Sequence, residues 1–346
     1  MAVKYSPKLS QAEGGRPALT LTLALALVAI LVLASAGCVS VYLRTPLEPL
    51  KEKTLSGEGR DKVLLLDISG PMLFGGGNSQ AASPPLAGLF GQEMSLPARV
   101  AEELDKAAED EHIKAVVLKI DSPGGAIAVC DLLYHQIMAY KAKTGVKVVA
   151  SLMGVAASGG YYVALAGDRI LALPTTLTGS VGVILVRLNL SGLLEKVGVS
   201  AQATKSGRLK DMWSLFRPAS REEDQITQAL VDNFFARFQG LVRERRPGVT
   251  PEQLAQVSTG RVFSAQEALA LHLVDEIGYP EDALGQAKSL AGLEEARLVV
   301  YHRPREYRPN LYAGGEAAAP APGLSQADLA ALAVSPRFMY LWLPGL

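Results

Sequence analysis

One serine of the chain stands among residues that are too small to cover its hydroxyl. Ser158 lies in the segment 154–162, Gly-Val-Ala-Ala-Ser-Gly-Gly-Tyr-Tyr. The segment 146–152 is β-branched and apolar, as in a buried strand, and the segment 161–166 is compatible with a helix. At such a strand-to-helix turn the first helical amides lack intrahelical partners and point toward a ligand. The pattern predicts a nucleophile, and the competing interpretation is a serine that only caps the helix.

A second turn rich in glycine precedes the first. The segment 115–120 is typical of a buried strand and runs into Asp-Ser-Pro-Gly-Gly at 121–125, ahead of a predicted helix over 126–143. If the two strands are parallel neighbours, both turns open at the same carboxyl edge of the sheet. The Gly159 amide and that of Gly124 or Gly125 could then hold the same oxyanion.

A serine nucleophile needs a base, and none of the four histidines is well placed for that role. They are His112, His135, His272 and His302. Lysine is the other common base, provided that its surroundings lower its pKa from about 10.4 toward neutrality. The segment 204–213 contains Lys205 and Lys210 around a glycine turn, and the residues alone do not choose between them.

Four motifs in order resemble the signal peptide peptidase A family of bacterial serine proteases. They are Asp-Ser-Pro-Gly-Gly at 121–125, Ala-Ala-Ser-Gly-Gly-Tyr-Tyr at 156–162, Thr-Gly-Ser-Val-Gly-Val at 178–183, and Lys-Ser-Gly at 205–207 followed by Lys-Asp at 210–211. The similarity runs from about residue 62 to residue 291. Because each motif occurs once, the chain resembles the single-domain form of the family.

The resemblance implies an α/β fold of the Clp protease and crotonase type, with a mostly parallel sheet and flanking helices. It also implies a Ser/Lys dyad, in which Ser158 is the nucleophile and Lys210, rather than Lys205, is the general base. Ser180 takes the position of a hydroxyl beside that lysine. Gly159 is one oxyanion donor, and Gly124 or Gly125 is the other. No metal or cofactor is implied.

The same resemblance implies an assembly and a class of substrate. The short form of the family builds membrane-facing rings, commonly octamers, in which adjacent subunits contribute the equivalents of Ser158 and Lys210. The family degrades signal peptides that remain after secretion, and it favours small or hydrophobic residues at the cut. We therefore expect a homo-oligomer that acts on short apolar peptides.

The amino terminus predicts a membrane location. Residues 17–43 contain no charged side chain, and as a helix these 27 residues would extend about 40 Å, more than the ~30 Å hydrocarbon core. The flanking segment 1–16 carries Lys4, Lys8 and Arg16 against a lone Glu13. The positive-inside rule keeps this segment in the cytoplasm and places the catalytic domain on the periplasmic side of a bacterial inner membrane.

A lipoprotein signal is the competing interpretation of this segment. Leu-Ala-Ser-Ala-Gly-Cys at 33–38 would make Cys38 the lipidated residue after cleavage, although Ser35 departs from the usual leucine. Both interpretations tether the protein to the membrane. The other cysteine, Cys130, lies in the predicted helix beside the second glycine turn and is expected to be a small core residue.

The charge composition argues against a nucleic-acid partner. The 34 Lys and Arg residues balance 34 Asp and Glu residues, which leaves no basic field for nucleic acid.

We expect a polar spacer over 44–61, a protease domain over 62–291, and a C-terminal strand with an Ala/Pro-rich tail over 292–346. The apolar end at 337–344 could dock on the same domain, on a neighbouring subunit or on the membrane.

Two other functions use the same pattern. A crotonase-like acyl-CoA hydratase or isomerase would hold an enolate with the paired glycine amides, but CoA chemistry is cytoplasmic. A non-catalytic membrane scaffold of the same fold would need neither Ser158 nor Lys210, and both are present.

Overall fold

A mostly parallel sheet organises the chain. The structure is a computed structural model that describes residues 48–73, 94–303, 310–312 and 338–342. Its strands are β1 (Lys51–Ser56), β2 (Lys62–Ser69), β3 (Ile113–Ser122), β4 (Gly124–Ala126), β5 (Lys147–Ala157), β6 (Arg169–Ala172), β7 (Leu177–Gly179), β8 (Val262–Ser264), β9 (Glu276–Ile277), β10 (Arg297–His302) and β11 (Met339–Leu341).

The strand order explains how the two glycine turns meet. The main sheet has the order β1-β10-β2-β3-β5-β6-β9, and β7 pairs with the second half of β5. Neighbours from β10 to β9 are parallel, as are β5 and β7, while β1 and β8 are antiparallel to their partners. Since β3 and β5 are adjacent and parallel, with Ser122 opposite Ala156, both turns open at the same sheet edge.

Helices cover both faces of this sheet. They are α1 (Leu96–Ala108), α2 (Ile127–Thr144), α3 (Gly159–Ala164), α4 (Ser191–Lys196), α5 (Arg221–Arg245), α6 (Pro251–Val257), α7 (Ala265–Ala270) and α8 (Pro280–Ala291). The start of α5 is fixed by a capping box between Ser220 and Glu223, and the end of α2 by Gly145 in the left-handed conformation.

Side chains alternate between two apolar clusters along the central strands, as the period of two in a strand requires. Leu64, Leu66, Val116 and Leu118 belong to the larger cluster, which also contains residues of α1, α2, α3 and α5. The intervening Val63, Leu65, Ala115 and Val117 pack with Ala283 and Ala287 of α8. Burial on both faces accounts for the nearly continuous apolar runs of β2 and β3.

The main sheet contains one strand before residue 62, in the predicted spacer, and one after residue 291, in the region where a C-terminal strand is predicted. Residues 51–56, expected within the polar spacer 44–61, form β1, which pairs with β10. Strand β10 in turn lies beside β2, so the sheet extends past both limits of 62–291. In β1 only Lys53 and Leu55 are half-buried, between exposed neighbours, which suits an edge strand with one exposed face.

The predicted membrane segment 17–43, with Cys38, lies outside the described residues. Within the described ranges, no helix combines the length and the hydropathy that a membrane span requires.

Candidate active site

Ser158 occupies a strained backbone position between β5 and α3. Its φ of 52° and ψ of −112° lie outside the regions that L-residues ordinarily adopt. The serine precedes α3, but its side chain makes no capping hydrogen bond to the helix. The interpretation of Ser158 as a simple cap is therefore wrong, and a strained backbone of this kind is typical of functional sites.

Strand β7 holds this turn from the side. Ala157 pairs with Gly179, and the Ser158 amide donates a 2.8 Å hydrogen bond to the Gly179 carbonyl. Ser180 follows directly and also has a positive φ, 51°. Its hydroxyl donates to the Gly260 carbonyl at 3.1 Å. The two serines therefore leave paired parallel strands side by side.

The second glycine turn is held by its own aspartate and serine. The Asp121 carboxylate accepts the Val155 amide at 3.0 Å, which ties the end of β3 to β5. The Ser122 hydroxyl donates to the Gly70 carbonyl at 2.6 Å and accepts the Gly124 amide at 3.1 Å. Both polar residues of the motif thus fix the turn itself.

The two turns approach too closely for side chains. A Cβ on Gly124 would lie 2.5 Å from the Gly159 nitrogen, and one on Gly160 would lie 2.5 Å from the Ser122 carbonyl oxygen. Gly124 also has a φ of 99°. Glycine is required at these positions because the backbones touch.

Gly124 and Gly125 differ in the direction of their amides. The Gly124 amide is already bound to Ser122, and the Gly124 carbonyl accepts the Met72 amide at 2.8 Å. Ala126 donates to the Met72 carbonyl at 2.8 Å. Because backbone groups alternate along a strand, the Gly125 amide points away from Met72, toward β11. The Gly125 amide therefore faces β11, whereas the Gly124 amide is held within the turn.

Cys130 packs against Gly159, beside the two glycine turns. Its side chain is fully buried, and a Cβ on Gly159 would collide with its Sγ. Burial raises the pKa of the thiol, so it stays protonated at neutral pH. Cys130 is a small core residue, as predicted. No group of three or more potential metal-ligating side chains occurs among the residues that the structure describes.

Lys210 does not join the other predicted site residues within one chain. It is exposed, and no hydrogen bond connects it with Ser158 in the described part of the chain. Lys205 instead pairs with Asp211 at 2.5 Å. Hydrogen bonds from Arg217 and then Lys205 lower the pKa of Asp211, so its carboxylate stays ionised.

Arg217 fastens the segment that carries Lys210 to α5. Its guanidinium donates to both oxygens of Asp211, at 2.7 and 3.0 Å, and to both oxygens of Glu223, at 2.5 and 2.9 Å. The Glu223 side chain is only 2 % exposed. The hydrogen bond from Arg217 is the main reason why the pKa of Glu223 is lowered to about 2. The sequence alone gave no signal that Arg217 would hold this segment.

The apolar C-terminal end docks on this same domain, which was one of three predicted destinations. Strand β11 is antiparallel to β4, with Tyr340 opposite Gly125. On its other side, Met339 and Ile184 exchange two 3.0 Å backbone hydrogen bonds. The apolar composition of 338–342 suited a buried strand, but it did not indicate which edge the strand would join.

The chain is similar to known peptidases. The model of peptidase family S49 matches residues 140–294, and the Clp protease model matches residues 92–178. A relative from Enterococcus faecium, named for signal peptide peptidase SppA, is 34% identical over 253 residues, which is 73% of this chain and 70% of the relative. A Synechocystis relative named as a protease is 42% identical over 56% of this chain and 69% of its own length.

A third relative has a different length. Protease 4 of Salmonella typhi is 34% identical over 201 residues, or 58% of this chain, but this is only 32% of the relative. The parallel sheet and the Clp protease match establish the predicted Clp-like α/β fold. The S49 match spans Ser158, Ser180 and Lys210, and the Enterococcus relative is matched over most of both chains. This chain therefore belongs to peptidase family S49, the family of signal peptide peptidase A, and it is a serine peptidase.

Proposed function

We propose that this peptidase cuts peptides with a Ser/Lys dyad, in which Ser158 is the nucleophile and Lys210 the general base. Neutral Lys210 takes the proton of the Ser158 hydroxyl, and the alkoxide attacks the peptide carbonyl. The protonated lysine then gives the proton to the leaving amine. Water, activated by the same lysine, hydrolyses the acyl-enzyme.

The Gly159 and Gly125 amides hold the oxyanion of the tetrahedral intermediate. Gly159 stands at the start of α3, where its amide has no intrahelical acceptor. The orientation of β4 favours Gly125 over Gly124 as the second donor, because Ser122 already binds the Gly124 amide. The Gly125 amide is fixed by β4 and the Gly159 amide by the start of α3, so both need little reorganisation when the charge develops, which lowers the barrier.

Lys210 comes from a neighbouring subunit in this proposal. Lys210 is exposed in the single chain, and a lysine acts as a base only in an enclosed site. The segment 185–216 around it supports an enclosing partner: Leu188, Leu193, Val197, Val199 and Phe216 are exposed, and α4 buries none of its residues. Exposed apolar patches mark protein interfaces. The resemblance to the short family form favours a ring of about eight subunits.

The substrates are peptides left in or near a membrane. The uncharged segment 17–43 supports a tether, either as an uncleaved helix or through lipidated Cys38, with the domain outside the cytoplasm. A tethered ring that faces the bilayer suits cleaved signal peptides and other short apolar peptides. The name of the Enterococcus relative is consistent with this substrate class.

One observation carries the proposal: Ser158 has a strained backbone conformation in a glycine turn that touches a second glycine turn. The test is labelling of the full chain, in detergent, with a fluorophosphonate probe. We expect labelling that Ser158→Ala abolishes, whereas Ser151→Ala, a buried serine within β5, keeps it. No labelling of the assembled protein would favour a scaffold, and turnover of acyl-CoA thioesters would favour a crotonase.

A further inference from the structure

Strand β8 and the residues before it bind both polar hydrogens of Ser180. Strand β8 is antiparallel to β7, with Val262 opposite Gly179. The Ser180 amide donates a 2.8 Å hydrogen bond to the Arg261 carbonyl, and the hydroxyl donates a 3.1 Å hydrogen bond to the Gly260 carbonyl. Two successive carbonyls of one segment therefore hold the backbone and the side chain of Ser180.

The bond to Gly260 sets the direction of the Ser180 hydroxyl. A hydroxyl has one proton and two lone pairs, and a carbonyl can only accept. With its proton on the Gly260 carbonyl, the Ser180 oxygen can enter a further hydrogen bond only as an acceptor. Because Ser180 is buried, solvent offers little alternative to the Gly260 carbonyl.

An acceptor is what a lysine base requires at this position. A neutral amine has two N–H donors and one lone pair, and the lone pair must face the proton of Ser158 for the transfer. If Ser180 accepts one N–H of Lys210, the lone pair stays available for Ser158. If Ser180 donated instead, its proton would occupy that lone pair and compete with Ser158.

The side chain of Arg261 holds this segment from the surface. Its guanidinium lies over the Phe263 ring, 4.0 Å from the centroid, and donates to Glu267 at 2.9 Å. A cation over an aromatic face is attracted to the ring. Glu267 also forms the capping box of α7 with Ser264. Arg261 is thus fixed by a ring and by a carboxylate that the start of α7 holds in place.

The Phe263 ring packs against the turn that joins the two serines. It is buried, and a Cβ on Gly179 would lie 2.6 Å from its Cδ2. The Gly179 carbonyl accepts the Ser158 amide, and Ser180 is the next residue. A displacement of Phe263 or of Arg261 would therefore reach both serines.

We propose that the segment 260–263 is a positioning element of this peptidase. The Gly260 carbonyl fixes the Ser180 hydroxyl as an acceptor for Lys210, and Arg261 holds that carbonyl in place through its side-chain contacts. The inference rests on the proposed function, because it assumes that Lys210 is the base and reaches Ser180. It adds two positioning residues, Gly260 and Arg261, which both act through Ser180.

The first experiment compares two glycine-to-alanine variants of the full chain in detergent. Gly260 has a φ of 80° and Gly145, at the end of α2, has a φ of 71°, and at neither position would a Cβ meet a described heavy atom within 4 Å. Alanine is therefore strained similarly at both positions, and both variants should melt a few degrees below the unaltered chain.

Only one of these two variants should affect turnover. With a fluorogenic peptide of apolar residues, we expect Gly260→Ala to lower kcat about tenfold or more at unchanged KM, because the lysine is misoriented. Gly145→Ala should change neither constant. Equal kcat values in the two folded variants would overturn the inference.

The second experiment is a double-mutant cycle with Ser180→Gly. This substitution removes the hydroxyl, and glycine tolerates the φ of 51° at this position. If Gly260 acts through that hydroxyl, Gly260→Ala should lower kcat of the Ser180→Gly chain by less than about twofold, because no hydroxyl is left to orient. A full loss in both backgrounds would mean that Gly260 supports the fold rather than Ser180, and the inference would be wrong.

Arg261→Met tests the surface contact, and it also serves if Gly260→Ala does not fold. Methionine keeps an apolar chain over Phe263 but lacks the guanidinium, so kcat should fall severalfold at unchanged KM. Arg169→Met is the matched control, because Arg169 is also an exposed arginine paired with a carboxylate, that of Asp275. Its kcat should equal that of the unaltered chain. Equal kcat values in both arginine variants would overturn the role of Arg261.

Failure of the dyad and failure of the positioning element are distinguishable. If Lys210→Ala keeps its cleavage activity, Lys210 is not the base, and the inference fails with the proposed function. If Lys210→Ala is inactive while Gly260→Ala matches Gly145→Ala, the dyad stands and the positioning element is wrong.

Discussion

The backbone amide of Ser158 donates a 2.8 Å hydrogen bond to the carbonyl of Gly179, and this bond joins the end of β5 to the end of β7. The next residue on each strand, Ser158 or Ser180, turns to a positive φ. The strand pairing up to Ala157 leaves Ser158 little freedom to relax. Conformations of this kind cost on the order of 1–3 kcal/mol each.

Two substitutions of Ser158 distinguish the strain of its backbone from the role of its hydroxyl. Ser158→Ala and Ser158→Gly should both abolish peptide cleavage, because both lack the hydroxyl. Only glycine adopts φ near 52° without a steric penalty, so Ser158→Gly should be the more stable variant by about 1 kcal/mol. Urea unfolding of the two variants measures the difference. A more stable alanine variant would show that the turn is not strained.

The glycine turns predict a pair of substitutions with opposite outcomes. In Gly125→Ala the new Cβ would collide with the backbone of Met72, which cannot move without breaking its bond to Ala126. Overpacking of this kind typically costs about 1–3 kcal/mol. In Gly154→Ala the nearest atom, Asp121 Oδ1, would be 3.6 Å from the Cβ, which is an ordinary contact.

Thermal unfolding checks this pair. Gly125→Ala should melt several degrees lower than the unaltered chain and lose cleavage, while Gly154→Ala should change neither by much. Similar melting temperatures for both variants would mean that the turn around Gly125 is looser than its contacts indicate.

Subunit complementation tests the origin of the base. Ser158→Ala and Lys210→Ala should each be inactive alone. If adjacent subunits share the dyad, a mixed assembly of the two contains some sites with both an intact serine and an intact lysine. Cleavage should then return to about a quarter of the unaltered activity for random mixing, since each site draws two residues from independent subunits. Mixed assemblies without activity would place the dyad within one chain.

The ion pair between Arg217 and Glu223 predicts that the free energy of unfolding depends on pH. Arg217 lowers the pKa of Glu223 to about 2 from its ordinary value of 4.5. A carboxylate with a lowered pKa stabilises the fold above its ordinary pKa, and this contribution is lost as the pH falls through the folded value. Arg217→Ala should therefore lower the urea midpoint at pH 7, and its difference from the unaltered chain should narrow as the pH falls from about 4.5 toward 2.

Arg208→Ala provides the control for this measurement. Arg208 also pairs with a glutamate of α5, Glu222, but both side chains are exposed. Exposed ion pairs contribute little to stability. If Arg208→Ala lowered the urea midpoint as much as Arg217→Ala does, the effect would be due to net charge rather than to the contact with buried Glu223.

The local pattern of the sequence was sufficient for the centre of the fold. The strand signals before Asp121 and before Ser158 correspond to β3 and β5, and the helix predicted over 126–143 is α2 at 127–144. These elements are recognisable because both faces of the strands are buried and the turns need glycine. The same two turns gave the prediction that Gly159 and Gly124 or Gly125 hold an oxyanion, and this stays a prediction.

The edges of the fold depend on contacts between distant residues, which local patterns do not record. Strand β1 was expected to be spacer because its lysines and glutamate resemble a solvated segment, yet it pairs with β10, about 250 residues later. Likewise, nothing in the composition of β11 indicated β4 as its partner. Local patterns also do not record the exposure of Lys210, because it depends on how the segment around it packs in the fold.

Helix α5 links two parts of the site that the sequence keeps separate. Its first turn holds Glu223, which Arg217 joins to the segment of Lys210. Its middle holds Phe238, whose ring packs on Tyr340 of β11, and Phe234, whose carbonyl accepts the Tyr340 phenol. The helix has 25 residues and is about 37 Å long. One helix therefore fixes the position of both the Lys210 segment and the C-terminal strand, so that a shift of α5 would displace the two together.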